Sequence, residues 1–129
     1  MEADWPGVDR AFSALDRIAP DIPFYDADWG AALLAKGDLD GAIAKLTLAH
    51  LKGPHFADPL DLWGETLMKK GDFTIAIAKF AEGDKYAPKW GRNHLRWGEA
   101  LMLSGRYAEA RAQYVAASRM DLSSPTARL

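Results

Sequence analysis

The chain has no cysteine. That excludes a disulfide framework and thiolate metal sites, and it leaves the redox compartment unmarked. Long apolar runs are also missing. No stretch approaches the roughly 18–20 apolar residues that span a bilayer. The first thirty residues hold seven acids against Arg10 and Arg17, which is not a secretory leader. Location is therefore read as cytoplasmic or unassigned, without membrane insertion. A dense basic run is lacking as well, and the formal net charge is −2, so nucleic acid is a poor partner. Glycines are single and periodic rather than gathered into a phosphate loop.

Residues for chemistry are equally thin. The serines are Ser13, Ser104, Ser118, Ser123 and Ser124, none in a nucleophile-elbow context or beside an obvious base. His50 and His55 fall on either side of Gly53-Pro54 and share no helical face. No acid stands at a zinc-type spacing from His94. All three histidines read as ordinary surface or core residues. The expectation is a protein without catalytic residues, metal or cofactor.

What the chain does have is a period. Trp29-Gly30, Trp63-Gly64 and Trp97-Gly98 are spaced 34 residues apart. Trp29–Leu46 and Trp63–Phe80 share ten of eighteen positions, and Trp63–Phe80 and Trp97–Tyr114 share eight. A fixed period of this length means stacked copies of one supersecondary unit. Within the second copy Leu60, Trp63, Leu67 and Met68 mark one helical stripe. Gly71-Asp72 is a stop, and Phe73, Ala76, Ile77 and Phe80 open a second stripe. Gly37-Asp38 and Gly105-Arg106 punctuate the other copies. Each unit is expected to be a helix, a tight glycine turn and an antiparallel helix. Gly30, Gly64 and Gly98 would face Ala42, Ala76 and Ala110 where the two helices approach. Glycine inside a helix costs roughly 1 kcal/mol relative to alanine, so three at one register call for close packing. Trp29, Trp63 and Trp97 are read as packing residues, and Trp90 as filling a junction between hairpins.

These residues resemble the tetratricopeptide repeat. The first-helix glycine is Gly30, Gly64 and Gly98, and the turn glycine is Gly37, Gly71 and Gly105. Next come Leu39, Phe73 and Tyr107, then Ala42, Ala76 and Ala110, then Leu46, Phe80 and Tyr114. Ala49, Gly83 and Ala117 follow, with Pro54 and Pro88 closing two copies and Leu122 departing in the third. Asp26, Leu60 and His94 stand where the consensus often has Trp; the swaps around them are expected to keep the core apolar. The resemblance implies an all-α right-handed superhelix of three helical hairpins (23–56, 57–90 and 91–124). One leading helix lies in a partial copy (1–22), and 125–129 form a tail. Trp5, Val8, Phe12, Leu15 and Pro20 carry the phase backwards into that partial copy. Only a Ser123-Ser124-Pro125 turn follows the last hairpin, so a segment of a longer protein is expected, or an open end that pairs with another copy.

The resemblance also implies a function: a non-catalytic scaffold for another protein, holding a peptide or helical segment in a groove lined by the first helices. Candidate groove residues are Asp28, Asp61, Glu65, Met68, Lys69, Arg92, Arg96, Glu99 and Met102, with Leu34, Met68 and Met102 as apolar anchors. Arg92 and Arg96 match part of a carboxylate-binding subfamily's pattern, but Ala27, Ala31 and Leu62 do not. The two arginines either bind another anion or pair with Glu65 and Glu99. Two other readings stay open: a homodimer through terminal helices, and a regulatory or substrate-positioning domain of an enzyme. Charge is uneven along the chain, from −5 over residues 1–30 to +4 over 89–129, which could steer a partner or favour head-to-tail contact.

Overall fold

A computed structural model describes residues 3–120. The expected tail, the Ser123-Ser124-Pro125 turn and Leu122 lie outside them. Seven helices follow in order: α1 (Trp5–Ile18), α2 (Pro23–Lys36), α3 (Leu39–Lys52), α4 (Asp58–Lys70), α5 (Phe73–Tyr86), α6 (Gly91–Leu103) and α7 (Tyr107–Ala117). There is no strand among the described residues.

The glycine turns are one structure built three times. Gly37, Gly71 and Gly105 have φ of 93°, 82° and 76°, a left-handed backbone that a Cβ disfavours. The amides of Asp38, Asp72 and Arg106 donate back to the carbonyls of Leu33, Leu67 and Leu101, and each glycine amide reaches Leu34, Met68 or Met102. Otherwise orphaned carbonyls are thereby satisfied, and the chain is reversed for the antiparallel partner. In the first turn Asp38 also caps α3, accepting from the Gly41 amide at 3.0 Å.

Close approach within each hairpin depends on the first-helix glycine. A Cβ on Gly30 would stand 2.7 Å from the Leu46 side chain, on Gly64 2.5 Å from the Phe80 ring, and on Gly98 2.9 Å from the Tyr114 ring. The sequence placed Ala42, Ala76 and Ala110 opposite these glycines. All three alanines are buried, but the group that fills each notch is the large residue four positions further on.

Successive hairpins stack, α3 on α4 and α5 on α6. The first helices also touch one another, α2 to α4 and α4 to α6, while α3 makes no contact with α5, nor α5 with α7. Second helices therefore splay and first helices converge, which curves the array and leaves α2, α4 and α6 lining its inner face. Trp63 packs on the core of the first hairpin and on that of the second, joining the two layers. Its ring, like that of Trp29, is only partly buried. Lys45 Nζ lies 3.8 Å from the Trp29 ring centre and Lys79 Nζ 3.9 Å from that of Trp63. Trp90 is buried with Ala57 and Ala87 at the α5–α6 junction, between hairpins as its position in the repeat suggested.

Two of the positions where the consensus has Trp are not apolar, contrary to the expected swaps. Asp26 is fully buried and accepts a hydrogen bond from Lys52 Nζ, whose other acidic neighbour is Asp16 Oδ1 at 3.8 Å. Burial opposes the lysine's charge, but the bond and attraction to the two acids outweigh it and raise its pKa. The trio ties α1, α2 and α3 together. That matters because α1 buries no residue completely; its other holds are Phe12 stacked on Trp29 and Asp9, which accepts from Trp29 Nε1 at 2.9 Å. His94 is held between Gln113 Oε1 at 2.7 Å and the Pro88 carbonyl at 2.9 Å, with Asp84 Oδ1 at 3.1 Å.

Two outcomes test this packing. Gly64→Ala forces the buried Phe80 ring to move and is expected to cost roughly 1–3 kcal/mol in urea unfolding. Gly98→Ala costs less, because the Tyr114 ring is only partly enclosed. Lys52→Met strands the Asp26 carboxylate and is expected to lose on the order of 3 kcal/mol; an unchanged melting curve would contradict the trio.

Candidate protein-binding groove

The inner face is built from the outward positions of α2, α4 and α6. A cleft of about 240 Å³ opens between α4 and α6, lined by Glu65, Met68, Lys69, Phe73, Arg96, Glu99 and Leu103. Four of these are among the groove residues read from the sequence together with Arg96, so five expected residues are brought to one place. Phe73 was read only as the large residue opening the second stripe; sitting at the turn, α5's first residue also reaches the cleft. Its position directly after Gly71-Asp72 was the available signal. Leu103 is 61% exposed and Met102 42%.

Other expected groove residues fall elsewhere. Leu34, offered as an anchor, is buried in the core of the first hairpin and cannot meet a partner. Met68 is shared between cleft and core, packing against the cluster of Leu67, Ala76, Phe80 and Ala100. Asp28 is exposed on α2, away from the cleft lining. Asp61 does not reach solvent at all, being 1% exposed.

Arg92 and Arg96 are paired within the chain. Arg92 Nε is 3.7 Å from Asp61 Oδ2 and its Nη2 3.5 Å from Glu65 Oε2. Arg96 Nη2 is 3.5 Å from Glu65 Oε1 and its Nη1 3.8 Å from Glu99 Oε2. Of the two roles weighed for these arginines, the geometry has the internal one in place. The pairing is loose, however. Arg106 and Glu109 make a two-pronged pair at 3.0 and 2.6 Å, whereas the groove contacts all lie beyond good hydrogen-bond length.

Burial pushes the Asp61 carboxyl up from 3.8 to about 7, with Arg92 pulling it down and Glu65 pushing it further up. Removal from water is the dominant cause, because no hydrogen bond reaches either oxygen.

Among the described residues no group of three or more histidine, aspartate or glutamate side chains is placed to hold a metal ion, and no helix is long and apolar enough to cross a membrane.

Stacked glycine-notched hairpins with an inner trough define a helical-repeat solenoid of the tetratricopeptide kind. Solved structures with this fold include MamA. MamA of MSR-1 superimposes with a TM-score of 0.71 at 23% identity, over 88% of this chain and 67% of that one. MamA of AMB-1 gives 0.72 at 24%, over 89% and 69%. A further MamA crystal structure gives 0.78 at 18%, over 85% and 64%. This chain thus spans about two thirds of the length of the MamA chains it matches, and at these identities the likeness is one of fold. No protein-family model matches the sequence, and no curated protein matches it.

The raised Asp61 pKa has a consequence for stability. Folding takes up a proton at this carboxyl between its unfolded and folded pKa values. The stabilisation is full below about pH 4 and is lost as pH climbs through about 7. Asp61→Asn removes that slope. The variant is expected to match the parent near pH 4 and to exceed it above pH 7 by a few kcal/mol, roughly, measured by urea unfolding across that range.

Proposed function

We propose that this chain is a non-catalytic protein-interaction scaffold, with 23–56, 57–90 and 91–124 as its repeating units. It holds a peptide or helical segment of another protein in the trough lined by α2, α4 and α6. The observation that carries this reading is the cleft between α4 and α6. Its lining combines the apolar side chains of Met68, Phe73 and Leu103 with the charged side chains of Glu65, Lys69, Arg96 and Glu99. That mixed lining suits an amphipathic helix laid in a groove, or an extended segment with one anchoring side chain. Binding is by complementarity, and the loosely paired charges exchange partners without first breaking strong hydrogen bonds. Asp28 and Met102 extend the binding surface to either side.

A second reading, self-association, draws on the exposed side chains of the terminal helices. Ile18 at the end of α1 and Tyr107 and Val115 on α7 all face solvent. Mass measured by light scattering over a concentration series would rise if the ends pair, and would stay at one chain if they do not.

The groove reading is tested by affinity capture with the intact protein. Leu103→Asp changes an exposed side chain in the cleft and is expected to abolish capture of the partner while leaving the melting temperature unchanged. Ile75→Asp changes an exposed residue of α5 outside the cleft and is expected to capture normally. The reverse pattern would place the interface on another face.

A further inference from the structure

Between α1 and α2 an open cavity of about 530 Å³ is lined by Asp9, Arg10, Ser13, Arg17 and Trp29. It shares no lining residue with the α4–α6 cleft. Arg10, Ser13 and Arg17 follow one another at three- and four-residue steps, so they share one face of α1. All three are exposed. The repeat does not account for this face. Arg10 falls in register with Ala44, Ala78 and Ala112, and Ser13 with Thr47, Ala81 and Val115.

The first thirty residues hold seven acids, yet neither Arg10 nor Arg17 makes an ion pair or hydrogen bond among the described residues. The acids near them are committed elsewhere. Asp9 accepts from Trp29 Nε1 at 2.9 Å, and Asp16 and Asp26 share Lys52. The Ser13 hydroxyl is likewise unengaged among the described residues, whereas Thr47, at the same register on α3, donates to the Ile43 carbonyl at 2.7 Å. Lys45 adds a positive charge over the Trp29 ring. In the next copy the corresponding Lys79 has a carboxylate of its own, Glu82 at 3.9 Å, which also faces His50 at 3.4 Å. The first copy has Leu48 at that register. The lining thus sets two unpaired guanidiniums against one carboxylate that is already bonded.

Spacing sets the form of the ligand. Seven residues of helix hold the two arginine Cα atoms about 10 Å apart, so one small anion is poorly placed to make a two-pronged bond with each. Two acids three residues apart on an extended chain, at about 3.3 Å per residue, match that span. We propose that the α1–α2 cavity binds an acidic segment of a partner protein, with Arg10 and Arg17 each holding one carboxylate and Ser13 meeting the backbone between them. The site does not depend on the groove reading; it gives the scaffold a second point of attachment.

Three labelled peptides, carrying two glutamates three residues apart, two adjacent glutamates, or two glutamines three residues apart, are compared by fluorescence anisotropy at low salt. The spaced glutamate peptide is expected to bind roughly tenfold tighter than the glutamine peptide, with the adjacent pair between them. Arg10→Gln combined with Arg17→Gln is expected to erase that preference without moving the melting temperature. Arg111→Gln, at an exposed position of α7, is expected to keep it, as is Leu103→Asp in the groove. Inorganic phosphate at the peptide's own concentration is expected to displace little of it. Equal or absent binding of the spaced glutamate and glutamine peptides, or a preference that survives the double substitution, would overturn the proposal. So would an adjacent pair that binds as tightly as the spaced one, full displacement by equimolar phosphate, or loss of binding in Leu103→Asp.

Discussion

The architecture depends on a notch and the side chain that fills it. Gly30, Gly64 and Gly98 leave openings on the first helices, and Leu46, Phe80 and Tyr114 of the second helices enter them. Without a Cβ at those points the two helices of a hairpin lie close, and each large side chain makes its contacts across the hairpin. The left-handed glycine turns set the antiparallel direction in which that fit is possible. First helices then converge on the inside of the stack while second helices do not meet. The trough is thus a geometric result of packing inside the hairpins.

Repetition ends where polar groups begin. The three copies share their apolar register, yet each buries different charged or hydrogen-bonding side chains. Asp26 is matched by Lys52 and tied to Asp16, so its burial knits α1 to the first hairpin. Asn93 donates to the Phe80 carbonyl at 2.8 Å, and Gly83 is the small residue that leaves it room. His94 has Gln113 Oε1 and the Pro88 carbonyl within hydrogen-bond reach of its two ring nitrogens. Asp61 differs from all of these in having charge nearby but no hydrogen bond. Polar burial strengthens a fold when its partners are supplied and weakens it when they are not. That contrast sets Asp61, buried without a hydrogen bond, apart from the other buried polar side chains of this set.

Fold likeness to MamA at 18–24% identity is understandable on the same basis. A helical hairpin needs a notch, a filler, a left-handed turn residue and two apolar stripes; nearly every other position is free to vary. The groove-facing positions are among the free ones, which is why a shared solenoid does not carry a shared ligand. Recognition has to be argued from this chain's own side chains.

Much of the fold was legible in the residues because helical period, glycine punctuation and a 34-residue repeat are all local signals. Helices, turns, hairpin pairing and the position of Trp90 followed from them. Parts of the candidate site were legible too: Glu65, Met68, Lys69, Arg96 and Glu99 fall on one lining. Depth was not. Leu34 looked like an anchor and lies in the core, Asp61 looked like a rim charge and lies beneath Arg92, and Phe73 looked like core and reaches the cleft. Sequence spacing gives the angle of a side chain around its own helix. How deeply that side chain sits, and whether an opposite charge arrives within hydrogen-bond length, depends on the distance between helices from different copies, which only the assembled stack sets.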